Sequence, residues 1–405
     1  MMKVLILDAT HGGQILSLKY IDEGNQVTLA DVYRIAPGRL ISEMESAGVK
    51  VVSGAPEGDY DLVTMPCHCP DDFLEKCSYR QRIWFSDSVN HFMNDKRRRV
   101  EITGVKGKTS TCYLLAGILD SCGWKIYLST SKGAGPYKNG EHVIEEQKSI
   151  APPYLLDLPG GDYDVLINEI SLGGSGKADA ACITNLSEDY GIARNSRKAS
   201  EAKKSVLCDG INFVRKEEAE IWGSFGKKVT PLLCSAEPAE KPVFGKSLKI
   251  RLKYDDKEYY TELGPGYLSL QYLRAAECAC SIAEGLGVPR DKIIGALREF
   301  RGVPGRGEIY EKDGIKYVKE RNPGISHISV DYTLSCLREM DALEDAVLII
   351  DPVSRKVCDK MDKDLISAVA EKYGAELIIS KGDGTETPVP GYAKTVIMMT
   401  KEGYQ

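Results

Sequence analysis

Short β-branched runs alternate with helix-patterned segments along nearly the whole chain. That alternation admits few folds: sheets of mainly parallel strands covered by helices, the α/β class. Strands are expected over 3–7, 26–30, 50–52, 62–65 and 82–85, the spacing of a small Rossmann-like unit. The basic run Lys96-Arg97-Arg98-Arg99 interrupts the pattern, and a second series opens at 100–103. It continues through strands over 124–128, 165–170 and 181–186, with helices near 111–122, 196–211, 269–287 and 289–300. Beyond Gly302 a hairpin over 308–311 and 315–319 precedes helix 329–343, strand 346–351, helix 362–373 and strand 375–380. A chain of 405 residues, at about 150 per domain, is long enough for three domains: 1–95, 96–302 and 303–405.

Charge narrows the partners. Lys plus Arg number 53 and Asp plus Glu 59, a formal net charge of −6, whereas a general nucleic-acid binder is normally basic. No apolar run approaches the ~20 residues of a membrane span, so neither nucleic acid nor membrane is an expected partner. Met1-Met2-Lys3 and the apolar Val4–Leu7 meet Asp8 too early for a signal-peptide core, and no secretion signal is expected. The 12 cysteines then read as reduced thiols of a cytoplasmic protein. Cys67-His68-Cys69 with Cys77 has soft-metal ligand types but lacks paired Cys-x-x-Cys knuckles, which favours ordinary loop and core cysteines. The first turn, Asp8-Ala9-Thr10-His11-Gly12-Gly13, lacks the spacing of a dinucleotide fingerprint. His11 reads there as a polar turn residue, with a substrate contact as the sharper alternative.

One segment carries chemistry. Gly104-Val105-Lys106-Gly107-Lys108-Thr109-Ser110 lies between a strand and an amphipathic helix bearing Cys112, Leu114, Leu115, Ile118 and Leu119. Successive backbone N–H groups in such a turn, with the helix N-terminus behind them, cradle a phosphate chain. Lys108 would reach the β- and γ-phosphates, and the Thr109 hydroxyl would ligate Mg²⁺. Position 102 is Ile, so the eight-residue Walker spacing is not met and the loop is a shorter form.

This loop, preceded by Thr103 and followed by Ser110, resembles that of the Mur ligase family, the ATP-dependent ligases that activate a carboxylate as an acyl phosphate. Asn168-Glu169-Ile170-Ser171 resembles the family segment whose Glu helps hold Mg²⁺, and Ile183 to Asp189 resembles its next strand and loop. Ala202-Lys203 resembles the element whose lysine is carbamylated in several members. Gly305-Arg306-Gly307-Glu308 resembles the motif opening the C-terminal domain, and Asn322-Pro323 the nucleotide-contacting loop that follows. The resemblance implies a three-domain architecture: an N-terminal Rossmann-like substrate domain, a central P-loop ATP-binding domain and a C-terminal Rossmann-like domain. It implies Lys108, Glu169 and Lys203 as catalytic residues, and Thr109 and Glu169 as metal ligands. Gly104, Lys106, Gly107, Lys108, Thr109, Ser110, Arg306 and Asn322 become nucleotide contacts, the last two reached when the third domain swings over the second. The plainer readings are a helix cap for Glu169, a solvated lysine for Lys203 and a surface ion pair for Arg306.

The chain also departs from the family. Tyr190 stands where His usually follows the loop aspartate, and Leu268-Ser269-Leu270-Gln271-Tyr272 replaces the paired asparagines near adenine. Glu320-Arg321-Asn322-Pro323-Gly324-Ile325 replaces the usual Ala-His-Asn-Pro form. In overall pattern, and in this last loop above all, the chain resembles a branch that acts on a small-molecule nickel tetrapyrrole of methanogens, where ATP activates a side-chain carboxylate and a ring carbon closes a carbocycle. An amide-forming ligase and a catalytically silent nucleotide-binding subunit are the other readings. Retention of Lys108, Thr109 and Glu169 favours an active enzyme.

Overall fold

The computed structural model describes residues 1–322, 324–351, 362–380 and 387–401; Pro323, named above with Asn322, lies outside them. The chain forms two compact units. The first holds 1–108, 124–138 and 142–231, and the second 109–123, 139–141 and the chain from 232 onward.

In the first unit, five parallel strands stand in the order Lys50–Ser53, Gln26–Asp31, Lys3–Leu7, Gly58–Met65 and Cys77–Trp84. Val4 to Leu7 are wholly buried, as expected of a parallel strand covered on both faces. A second sheet is built on Arg98–Thr103, flanked in parallel by Val165–Glu169 and Ala180–Ile183. Ile126–Thr130 lies beyond the former and Ile211–Val214 beyond the latter, again parallel. An apolar cluster runs without a break from Val4, Ile6, Leu29 and Phe85 of the first sheet's layer to Ile170, Ala181, Ile183 and Trp222 of the second. That shared core is the physical reason the two sheets fall within one compact unit.

In the second unit, the antiparallel strands Cys234–Pro238, Leu248–Tyr254 and Glu258–Leu263 pack with the helices Leu273–Gly285 and Arg290–Glu299. A further sheet has the order Glu308–Lys312, Ile315–Arg321, Thr395–Thr400, Ala346–Asp351 and Glu376–Ile379. The hairpin, the strand from 346 to 351 and the neighbouring helices stand close to where the sequence pattern places them.

Two expectations are corrected. The helix expected over 196–211 is only Ala199–Lys203, followed by a 3-10 turn at Lys204–Val206. The Asn212 side chain accepts from Cys208 N at 2.8 Å and donates to Cys208 O at 2.9 Å. These bonds turn the chain into the strand Ile211–Val214, which the pattern did not show. The strand expected to 186 ends at Ile183, because Thr184 and Asn185 bond sideways to the glycine loop. Eleven cysteines among the described residues are free thiols. No helix among the described residues is long and apolar enough to cross a membrane.

Candidate active site

The glycine loop leaves the C-terminal end of Arg98–Thr103 between two parallel neighbours, the edge at which open α/β sheets bind ligands. Gly104 has φ 138°, a conformation open to glycine and strained for other residues. A Cβ there would stand 2.1 Å from Thr184 Oγ1 and 3.0 Å from Thr184 N. The contact is close because Thr184 and Asn185 clamp the loop. Val105 N donates to Asn185 O at 3.1 Å, while Thr184 Oγ1 and Asn185 Nδ2 donate to Lys106 O at 2.6 and 2.8 Å. Gly107 has φ 83° and open space around its missing Cβ. Lys108 opens the helix Lys108–Ser121, Thr109 is buried in its first turn and Ser110 follows, half-buried.

Two more side chains approach from the same sheet edge. Glu169 ends the strand Val165–Glu169 opposite Ile102, buried, with Oε2 accepting from Ser131 N at 3.0 Å. Lys203 is not solvated: it is 1% exposed and donates to Gly104 O at 3.1 Å and Ser171 O at 2.7 Å. Lys108 Nζ meets the same Gly104 oxygen at 3.2 Å. Two lysines thus converge on one carbonyl of the loop. Burial, and after it the like charge of Lys108, holds the Lys203 amine well below the ordinary lysine range, which favours the neutral nucleophilic form. Asp189 fixes the start of the Lys203 helix by accepting from Ser200 N at 2.9 Å and Ser200 Oγ at 2.8 Å.

Arg306 and Asn322 belong to the second unit. Tyr272 OH accepts from Val303 N at 3.0 Å and donates to Arg306 O at 2.8 Å, and Arg321 N donates to Gly305 O at 2.8 Å. One phenol therefore braces the Gly302–Gly305 segment on both sides. Asn322 Nδ2 donates to Glu320 Oε2 at 3.3 Å. Glu320 is buried, and desolvation pushes its carboxyl up to about 7 against the opposing Arg306 charge.

A chain 31% identical over 417 residues, spanning 92% of this chain and 88% of the relative, is the coenzyme F(430) synthetase of Methanosarcina acetivorans. The chain belongs to the Mur ligase family. A UDP-N-acetylmuramoyl-L-alanyl-D-glutamate–2,6-diaminopimelate ligase of Alkaliphilus oremlandii is 25% identical over 349 residues, 77% of this chain and 66% of that one. The MurF ligase of Thermotoga maritima, solved in complex with ADP, shares the fold at a TM-score of 0.55 and 12% identity, covering 93% of this chain and 91% of that one. No family model matches the chain.

In this Mur ligase the sequence pattern gave no role to Glu320 or Tyr272, and none to the Thr184–Asn185 clamp. Only the run Ile183 to Asp189 hinted at the last. The basic run lies at the opposite, N-terminal end of the central sheet. Arg97 pairs with Asp95, Arg98 stacks on Trp124 at 4.9 Å and Arg99 is buried, so its charge is used locally. Cys67 and Cys69 have thiols pushed up by burial, to about 11 and about 12, and remain protonated near neutrality.

Two outcomes follow from this geometry. Gly104→Ala should destabilise the protein by about 1–3 kcal/mol in urea unfolding, and Gly107→Ala by clearly less, because only Gly104 faces backbone atoms; the reverse order would overturn the clamp. Glu320 binds its proton more tightly folded, at about 7, than at the ordinary 4.5, so stability should fall as pH rises through that window, by on the order of 3 kcal/mol. Glu320→Gln should flatten that slope in melting curves recorded across the same range.

Proposed function

We propose that this Mur-type ligase uses ATP and Mg²⁺ to activate a carboxylate of a nickel tetrapyrrole, and that a carbon of the same molecule then closes a ring. The observation that carries the reading is the convergence of Lys108 and Lys203 on Gly104 O, with Glu169 at the same sheet edge. Likeness to the coenzyme F(430) synthetase over 92% of the chain supports the substrate class. The expected domain limits, 1–95, 96–302 and 303–405, belong to this reading.

A free carboxylate is a poor electrophile. Attack of its oxygen on the γ-phosphorus forms an acyl phosphate and releases ADP. Attack of the ring carbon on the acyl carbon then expels phosphate, and that carbon loses one proton. The first step concentrates negative charge on the transferring phosphoryl group. Gly104, Lys106, Gly107 and Ser110 would hold the phosphates, chiefly through backbone N–H groups. Lys108 would swing from the loop carbonyls to neutralise the γ-phosphate. Thr109 and Glu169 supply a hydroxyl and a carboxylate oxygen, the hard donors that Mg²⁺ selects, and Mg²⁺ would add charge neutralisation there. Arg306 and Asn322 complete the nucleotide contacts in this reading. Lys203, buried and inclined to the neutral amine, is suited to add CO₂ as a carbamate and so to present an anion beside the loop.

The two-substrate alternative separates cleanly. With ATP, Mg²⁺ and the nickel seco-precursor alone, ADP and phosphate release should accompany a change in the tetrapyrrole spectrum, since the second step is intramolecular. Lys108→Ala should lower this turnover at least a hundredfold, by about 3 kcal/mol of lost charge stabilisation, with an unchanged melting curve. Strict dependence on an added amino acid would instead identify an amide ligase, and absence of any product a silent subunit.

Lys203 has its own readout. Incubation with carbon-13 bicarbonate should give a carbamate resonance in the native enzyme that is missing from Lys203→Ala, and the variant should lose at least tenfold in turnover. A native spectrum without that resonance would leave Lys203 a structural prop of the loop.

A further inference from the structure

A second cluster of chemically capable side chains lies in the first sheet's layer, and the ligase reaction as derived makes no use of it. Asp8 follows the strand Lys3–Leu7, wholly buried, at φ 76°. Its amide donates to Ala30 O at 2.9 Å. Its Oδ1 accepts from Thr10 N and Thr10 Oγ1, each at 2.9 Å, and from His11 N at 3.3 Å. Its Oδ2 faces two imidazoles, His11 Nδ1 at 2.5 Å and His68 Nε2 at 3.7 Å. The rings meet edge to face with centroids 4.8 Å apart.

Three donor atoms, one from each residue, lie within 4.8 Å of one another, the one such group among the described residues. A cation held about 2.1 Å from each donor needs them roughly 3–3.5 Å apart. His11 Nδ1 must move out from its 2.5 Å contact with Asp8 and His68 Nε2 must move in from 3.7 Å, adjustments within reach of imidazole rotation, because the His11 and His68 side chains are 44% and 30% exposed while Asp8 is fixed. Both supporting loops are held. Arg197 donates to Cys67 O at 2.6 Å and Cys69 O at 3.1 Å, securing the loop that carries His68. A Cβ on Gly12 would fall 2.6 Å from Pro153 Cβ, and one on Gly13 2.3 Å from Asp8 O. The turn that carries His11 therefore has little freedom.

The donor set is one carboxylate oxygen and two imidazole nitrogens. Imidazole suits nickel, cobalt and zinc, whereas Mg²⁺ and Ca²⁺ prefer oxygen throughout. Thr10 bonds the inner carboxylate oxygen and orients the outer one toward the two imidazoles, the arrangement that outer partners give metal ligands. We propose that Asp8, His11 and His68 form a binding site for a divalent transition metal of the nickel, cobalt and zinc class. The cation arrives either as a hydrated ion or already held in a tetrapyrrole, offering an open coordination position to an imidazole. The second source rests on the proposed function; the first is independent of it.

The test uses the full chain, freed of metal by dialysis against chelator. Ni²⁺ titrated by calorimetry and Co²⁺ followed by its visible absorption should each saturate one site. His11→Ala and His68→Ala should each weaken binding at least tenfold, with circular dichroism spectra unchanged. X-ray absorption of the nickel-loaded native protein should show imidazole scattering, a readout that needs no variant. Lys108→Ala should bind Ni²⁺ as the native protein does, so a failed ligase assay and a failed metal site are told apart. If the hydrated ions do not bind, a nickel tetrapyrrole whose absorption shifts in the native protein but not in His11→Ala assigns the macrocycle as the source. Absence of saturable cation binding together with no imidazole-dependent shift, or affinities unchanged in both histidine variants, overturns the proposal.

Discussion

The contact between Gly104 and Thr184 is the constraint on which the site depends. At φ 138° and with no room for a Cβ, the chain leaves the central strand sharply enough for Lys106 O to be gripped by Thr184 and Asn185. The same turn points Gly104 O at Lys203 and Lys108. A bulkier residue at 104 would displace the oxygen that both lysine nitrogens use, and their convergence would be lost with it.

Lys203 shows how the fold sustains a group that chain composition disfavours. A lysine 1% exposed with only carbonyl partners carries a desolvation cost of several kcal/mol. Its surroundings offset that cost through two good acceptors and a shift toward the neutral amine. The short helix that carries it is anchored by Asp189 at one end. Arg197, just before that helix, ties it to the loop around His68. A chain of packed and hydrogen-bonded contacts therefore runs from the Asp8–His11–His68 cluster to the glycine loop within a single compact unit. Glu320 and Tyr272 are the second unit's counterparts, a buried carboxyl and a buried phenol that hold the Arg306 and Asn322 segments by hydrogen bonds.

Much of the architecture was legible in the sequence because the period of hydrophobic residues is a local property. The strands Lys3–Leu7 and Ala346–Asp351 hold the apolar runs 4–7 and 346–350, whose burial on both faces leaves no alternative. The glycine loop was legible for a related reason: Gly104, Gly107, Lys108 and Thr109 lie within six residues, and a glycine-rich turn between strand and helix can be recognised from its own letters. The helix expected over 196–211 failed because its end is set by Asn212 reaching back to Cys208, a side-chain choice that periodicity does not record.

By itself, then, the sequence determined the α/β class, the glycine loop between strand and helix, and the family to which the chain belongs, since each rests on short-range pattern or on ordered motifs. Only the tertiary structure decided that Lys203 is buried against Gly104 O rather than solvated, and that Glu320 is a buried carboxyl beside Asn322. It alone brought His68 to Asp8 and His11 from sixty residues away. Burial and electrostatic environment depend on which distant segments pack together. The same lysine, glutamate or histidine is an ordinary surface residue until a neighbour remote in the chain removes its water.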